Sequence, residues 1–112
     1  MGSKYIDTTA IMQVIGCVFN TPQLLEATDR YSIVDEDFAD PFHKTVFGAI
    51  YKIHELGANK ITLESISDFL SSRPKSAAVY KQGKGEEWLL KIAETAMPSA
   101  VDHYYGRLKK FS

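Results

Sequence analysis

The sequence predicts an all-α fold, with a compact multi-helix body followed by a C-terminal antiparallel helical hairpin. Three observations carry that expectation. Apolar residues recur every three or four positions along almost every segment, and none alternates cleanly over a strand length. Helix-start signals precede those runs at Thr21-Pro22, Asp40-Pro41 and Thr62. Proline and glycine punctuate the runs instead of filling them, with 4 prolines and 7 glycines in 112 residues. A chain of this length closes one hydrophobic core.

Residues 1–6, beginning Met1-Gly2-Ser3, read as a tag remnant and a disordered lead-in. Residues 7–85 form the body. Its first helix runs from Thr8 or Thr9, as N-cap, to Phe19. Ile11, Met12, Val14, Ile15, Cys17, Val18 and Phe19 surround most of that cylinder, which places it at the centre of a bundle. Thr21 and Pro22 start a second helix to about Thr28, turning Leu24 and Leu25 inward.

A third helix follows Asp40 as N-cap and Pro41 at the first position. Phe42, Val46, Ala49, Ile53 and Leu56 make a continuous stripe along it, widened by Phe47 and Ile50. Gly57 supplies the left-handed residue that ends it. Thr62 caps a fourth helix bearing Leu63, Ile66, Phe69 and Leu70, which stops before Pro74. Residues 71–85, SSRPKSAAVYKQGKG, read as a mobile basic loop with one short helical turn.

Residues 86–112 form the hairpin. Trp88, Leu89, Ile92, Ala93 and Ala96 share one face between Glu86 and Ala96. Pro98 and Ser99 break and restart the chain, and Ser99 with Asp102 makes a variant capping box. Val101, Tyr104, Tyr105, Leu108 and Phe111 then mark the last helix. Two helices joined by so short a connection form an antiparallel pair.

Composition excludes several function classes. The longest apolar run, Val14 to Phe19, is far short of the roughly 20 residues of a membrane span. The single cysteine, Cys17, lies in an apolar segment and reads as a buried reduced thiol of a cytoplasmic protein. Net charge is −1, so nothing global draws the chain to nucleic acid. The distribution is uneven, with 4 basic and 8 acidic side chains in residues 1–57 and 9 basic and 6 acidic in residues 58–112. Arg107, Lys109 and Lys110 read as the complement of a helix C-terminus, with a phosphate-contacting patch as the alternative.

The densest cluster of acids, Asp35, Glu36, Asp37 and Asp40, lies just before His43. Asp40 is accounted for as a cap, and the other acids sit in a short turn anchored by Phe38. His43 and His54 share a helix face but stand about 16 Å apart along the axis, too far for one zinc ion. Phe47 occupies the place of the second histidine of an HExxH motif. His103 reads as exposed. Gly83-Lys84-Gly85 lacks the upstream glycine of a phosphate loop and the hydroxyl that would hold magnesium. No catalytic residue, cofactor or metal is expected; a small metal-dependent hydrolase using Asp37, Asp40 and His43 stays open as a remote alternative. What remains is surface. Trp88, Leu89, Ile92, Val101, Tyr104, Tyr105 and Leu108 are the candidates for self-association or partner binding, since Trp and Tyr favour interface centres.

The run Glu36-Asp37-Phe38-Ala39-Asp40-Pro41-Phe42-His43-Lys44-Thr45-Val46-Phe47-Gly48-Ala49-Ile50 resembles the N-terminal domain of DnaB-type replicative DNA helicases. That family reads E-D-F-Y-x-P-x-H-[RK]-x-[IV]-F-x-A-I here, so Asp37, Phe38, Pro41, His43 and Phe47 fall on its structural motif. Met97-Pro98-Ser99-Ala100 with Tyr104-Tyr105 is similar to the family's P-S-A-x-N-x-x-Y-Y turn. Ile15-Gly16-Cys17-Val18 and Pro22-Gln23-Leu24-Leu25 resemble its first helix and continuation. The likeness covers roughly Asp7 to Lys110.

The resemblance implies a domain that does no chemistry, pairs through its hairpins above a hexameric motor and receives the C-terminal domain of primase. It implies a longer helicase of bacterial or phage origin in which a separate RecA-like motor hydrolyses ATP. Ala39 replaces the family's aromatic, Val101-Asp102-His103 replaces its A-N-[IV] run, and residues 71–85 are longer and more basic than usual. The helicase-binding domain of a primase resembles the same fold and is the second reading.

Overall fold

Helix α1, Thr8–Asn20, organises the rest of the chain. It carries no charged side chain, and Ala10, Ile11, Val14, Ile15, Gly16, Cys17, Val18 and Phe19 are buried on it. The computed structural model describes residues 8–27, 31–33, 37–38 and 40–110. Among them are α2 (Pro41–Glu55), α3 (Leu63–Ser71), α4 (Pro74–Gln82), α5 (Gly85–Thr95) and α6 (Val101–Lys110), with no strand. The all-α expectation holds. The lead-in, Thr28, Asp35, Glu36, Ala39 and Phe111 lie outside the described residues.

Around α1 pack α5, α6, α2 and the 3-10 turn Pro22–Glu26. An apolar cylinder at a bundle centre buries apolar area on every side, at roughly 25 cal/mol per Å². At Gly16 the approach to α5 is closest. A Cβ there would stand 2.8 Å from the Ile92 carbonyl oxygen and 2.9 Å from Ala96 Cβ. Only glycine lets the two helices meet at that distance.

Local signals place the ends of α2 and α3. The Asp40 carboxylate accepts the Phe42 N–H at 2.8 Å. Gly57 has φ +111°. Its N–H donates to the His54 carbonyl at 3.0 Å, and that of Ala58 donates to Ile53 at 3.3 Å, the paired bonds of a Schellman ending. Thr62 and Ser65 exchange hydrogen bonds, each hydroxyl accepting the other's backbone N–H at 3.1 and 2.9 Å.

Five expectations need correction. Residues 74–82 are helical, not loop: Pro74 sits in the first turn, where its missing N–H costs nothing, and Tyr80 is buried as the inward anchor. Gly83 and Gly85 fall outside the interior of that helix. Secondly, α5 and α6 both pack chiefly on α1, not on each other. The two helices of the expected hairpin are therefore joined through α1 and not by direct packing on each other. Thirdly, Leu56 is exposed, because it caps α2 beyond the last packed turn. Fourthly, Thr21 precedes a 3-10 turn and its side chain makes no capping bond. Finally, the Ser99–Asp102 box gives way to a 3-10 turn, Pro98–Ala100, with Asp102 accepting from the Tyr31 hydroxyl instead.

Candidate docking surface on the last two helices

The candidates on α5 and α6 divide by burial. Leu89 and Ile92 are wholly buried, and Val101 and Leu108 nearly so. In the folded monomer these four belong to its own core, a correction to their expected place on an exposed face. They are the positions by which α5 and α6 anchor to the central cluster.

Each aromatic candidate has a different setting. Trp88 is half-buried, edge-on to Phe42 at 5.0 Å and stacked on His43 at 5.4 Å. It fills the junction of α2 and α5. Tyr105 stands edge-on to Tyr31 at 5.2 Å, and its hydroxyl accepts the Ser32 N–H at 2.8 Å. Its polar tip is therefore engaged within the chain. Tyr104 is half-buried at the edge of the core, with His103 at 5.1 Å and the Arg107 guanidinium at 5.2 Å beside its ring on α6.

Leu90 and Met97, which the sequence reading left off the candidate surface, are about half exposed at 54% and 48%. Leu90 falls off the buried Leu89–Ile92 stripe. An apolar side chain lying off its helix's inward face was the available signal.

The acidic motif is latched to the last helix. Lys109 Nζ donates to both carboxylate oxygens of Asp37, at 3.0 and 2.9 Å. The Asp37 side chain is almost entirely buried, while that of Lys109 is about one-third exposed. Phe38 is buried against Phe47 with ring centroids 5.1 Å apart. Pro41 opens α2. A second fastening holds the end of α5: Gln13 Nε2 donates to the Thr95 carbonyl at 3.1 Å, and its Oε1 accepts the Met97 N–H at 2.9 Å. Asn20 Nδ2 donates to the Ala93 carbonyl at 2.9 Å. These bonds satisfy backbone groups that a helix end leaves unpaired.

Asp37, Asp40 and His43 thus have separate tasks: an ion pair, a helix cap and an aromatic stack. Among the described residues no group of three or more His, Cys, Asp or Glu side chains is placed to hold a metal. His43 is buried and its Nδ1 has no hydrogen-bond partner. Burial pushes its pKa below the ordinary histidine value, with the Asp40 charge pulling the other way. Tyr80, also buried with an unpartnered hydroxyl, has its pKa pushed up to about 12 by burial and by Glu86. Burial likewise raises the Cys17 thiol, so it is a poor thiolate.

Two concavities flank α4. A cleft of about 520 Å³ lies among α3, α4 and α5, over Leu70, Ala77 and Tyr80, with Lys81, Lys84, Glu86 and Glu87 around it. A groove of about 360 Å³ runs between α2 and the α3–α4 corner.

Fold and surface define an all-helical domain wrapped on one central helix, its last helix latched to the segment ahead of α2. The chain belongs to the DnaB-like helicase N-terminal domain family, whose model matches residues 4–110. It is a replicative helicase-type domain. It is also 32% identical over 106 residues to the SPbeta prophage-derived uncharacterized protein YorI of Bacillus subtilis (strain 168). That alignment covers 95% of this chain and 21% of YorI, so the chain spans about a fifth of the length of this relative. No solved structure matches the chain.

Proposed function

We propose that the chain is the non-catalytic collar domain of a hexameric replicative DNA helicase, pairing with copies of itself and receiving primase or another replication protein. The observation that carries this reading is the family match across residues 4–110. Exposed Leu90 and Met97, with Tyr104, support α5 and α6 as the pairing surface. ATP hydrolysis belongs to a motor elsewhere in the helicase, and the setting is the cytoplasm of a bacterium or a phage-infected cell. Nucleic acid is engaged by the assembled helicase and only weakly by this domain. No helix among the described residues is long and apolar enough to cross a membrane. The helicase side is preferred over the primase domain because the match is to the helicase family itself.

Light scattering across a wide concentration range tests the pairing. The expected result is a dimer that strengthens with concentration and is lost in Leu90→Glu, with circular dichroism unchanged. Leu90 is the better probe than Tyr105, whose replacement also breaks the contact to Ser32. A strict monomer at every concentration would overturn self-association through these helices.

A further inference from the structure

We propose that the groove between α2 and the α3–α4 corner docks an acidic peptide segment with an apolar side chain, supplied by a partner protein. This rests on the partner-docking half of the collar reading, gives it a site, and involves neither α5 nor α6. The floor is apolar, made by Gly48, Ala49, Phe69 and Leu70. Lys44, Lys52 and Arg73 stand on the rim, and no lining side chain is acidic. Lys44 and Arg73 have no carboxylate partner among the described residues, whereas Lys52 shares its ammonium with Glu55 at 3.1 Å. The chain as a whole carries net charge −1, so this cationic rim is local. Residues 69–85 hold Arg73, Lys75, Lys81 and Lys84 and no acid.

Gly48 supplies an independent argument. It lies inside α2, where glycine is unfavourable. A Cβ there would meet nothing within 4 Å, so no packing within the monomer requires it. The space above it is open to a side chain from elsewhere.

Charge and floor together choose the occupant. Lys44 and Lys52 are about 12 Å apart along the α2 axis at 1.5 Å per residue, with the apolar floor between them. An acid–apolar–acid segment matches that order. A nucleic acid strand is matched less well, because bases need an open aromatic face. The Phe69 ring is instead covered by the Arg73 guanidinium, 4.3 Å from its centroid.

Fluorescence anisotropy with a fluorescein-labelled Asp/Leu-rich peptide tests the site on the whole chain. Lys44→Glu and Arg73→Glu are each expected to weaken binding by about fivefold, the top of the range for an exposed charge pair. Gly48→Leu keeps every rim charge and fills the floor, and should weaken binding similarly. A peptide with Ser in place of Leu should bind less well than the parent. Both charge variants alter exposed side chains, and circular dichroism verifies that each is folded. Equal affinity in Lys44→Glu, Arg73→Glu and the unaltered chain would overturn the proposal. So would oligothymidylate binding this groove more tightly than the peptide, or a dimer abolished by Lys44→Glu, which would make the occupant a second copy.

Discussion

Around α1, polar side chains reach across long stretches of sequence, whereas around α2, α3 and α4 they mostly stay within one turn. Gln13 and Asn20 hold the end of α5, Tyr31 and Ser32 hold Asp102 and Tyr105, and Asp37 holds Lys109. In the other region Asp40 caps Phe42 and Thr62 pairs with Ser65. Among the described residues, only the 3-10 turn reaches across to the end of α2 and the loop after it, through Glu26 to His54 at 2.7 Å and Gln23 to the Asn59 carbonyl at 2.9 Å. The difference follows from apolar content. Helix α2 buries Val46, Phe47, Ala49, Ile50 and Ile53 and is held by that area. Helix α6 buries only Val101 and Leu108 as aliphatic anchors. Specific polar bonds must therefore fix its position.

The largest effect expected from breaking this comparison comes from Gly16. Gly16→Val drives side-chain atoms into the Ile92 carbonyl and Ala96. Overpacking of this kind costs about 3 kcal/mol, read as a lowered urea midpoint at unchanged slope. The paired control is Gly48→Ala on α2, where the added methyl meets nothing within 4 Å. That change should stabilise by roughly 0.5–1 kcal/mol through helix propensity alone. If both substitutions destabilised equally, the close crossing of α1 and α5 would not be what sets the Gly16 requirement.

The next effect concerns the latch. Lys109→Ala removes the ammonium that meets both oxygens of the buried Asp37 carboxylate. The expected loss is about 2 kcal/mol, below the full value for a buried pair because Lys109 is partly exposed. Hydrogen exchange should quicken in α6 while α2 and α3 keep their protection. Uniform quickening throughout the chain would mean that α6 is not separately fastened, and the contrast between the regions would collapse.

What could be read from sequence divides along the same line. Thr62, Asp40-Pro41 and Gly57 announced helix ends because their partners lie within a few residues. The stripes of α1 and α2 announced the core because periodicity is a local property. The Asp37–Lys109 pair was invisible, since 72 residues separate its members and many lysines could have answered one aspartate. Gln13 was passed over as the polar interruption of an apolar helix; its task depends on where α5 ends. Leu89, Ile92, Val101 and Leu108 were read as surface for a partner, yet they are buried in the core of the chain itself. Helical spacing says which side chains share a face, and it does not say whether α1 or another molecule covers that face. The α4 segment misled through composition, because two glycines and a proline count against a helix unless they fall at its ends.

The smallest effect probes the region where buried polar atoms lack partners. His43 Nδ1 and the Tyr80 hydroxyl both lie there. Burial lowers the His43 pKa in the folded chain, so folding favours the neutral imidazole. The unfolded chain titrates near 6.5. Between the lowered folded value and about 6.5 the unfolded state therefore binds more protons, and stability rises with pH. This contribution is complete above that window and is lost as pH falls through it. One proton sets the ceiling, about 1.4 kcal/mol per pH unit, and Asp40 reduces the effect. Trp88, the only tryptophan, is stacked on the imidazole, so its fluorescence reports unfolding at the titrating site. His43→Phe preserves an aromatic ring there and removes the proton. Comparing urea midpoints of the two chains from pH 5 to pH 8 cancels every contribution that is present in both. A steeper pH slope in the unaltered chain is the expected outcome. Parallel slopes would mean that the buried Nδ1 is reached by solvent after all, and the polar economy of the two regions would be the same.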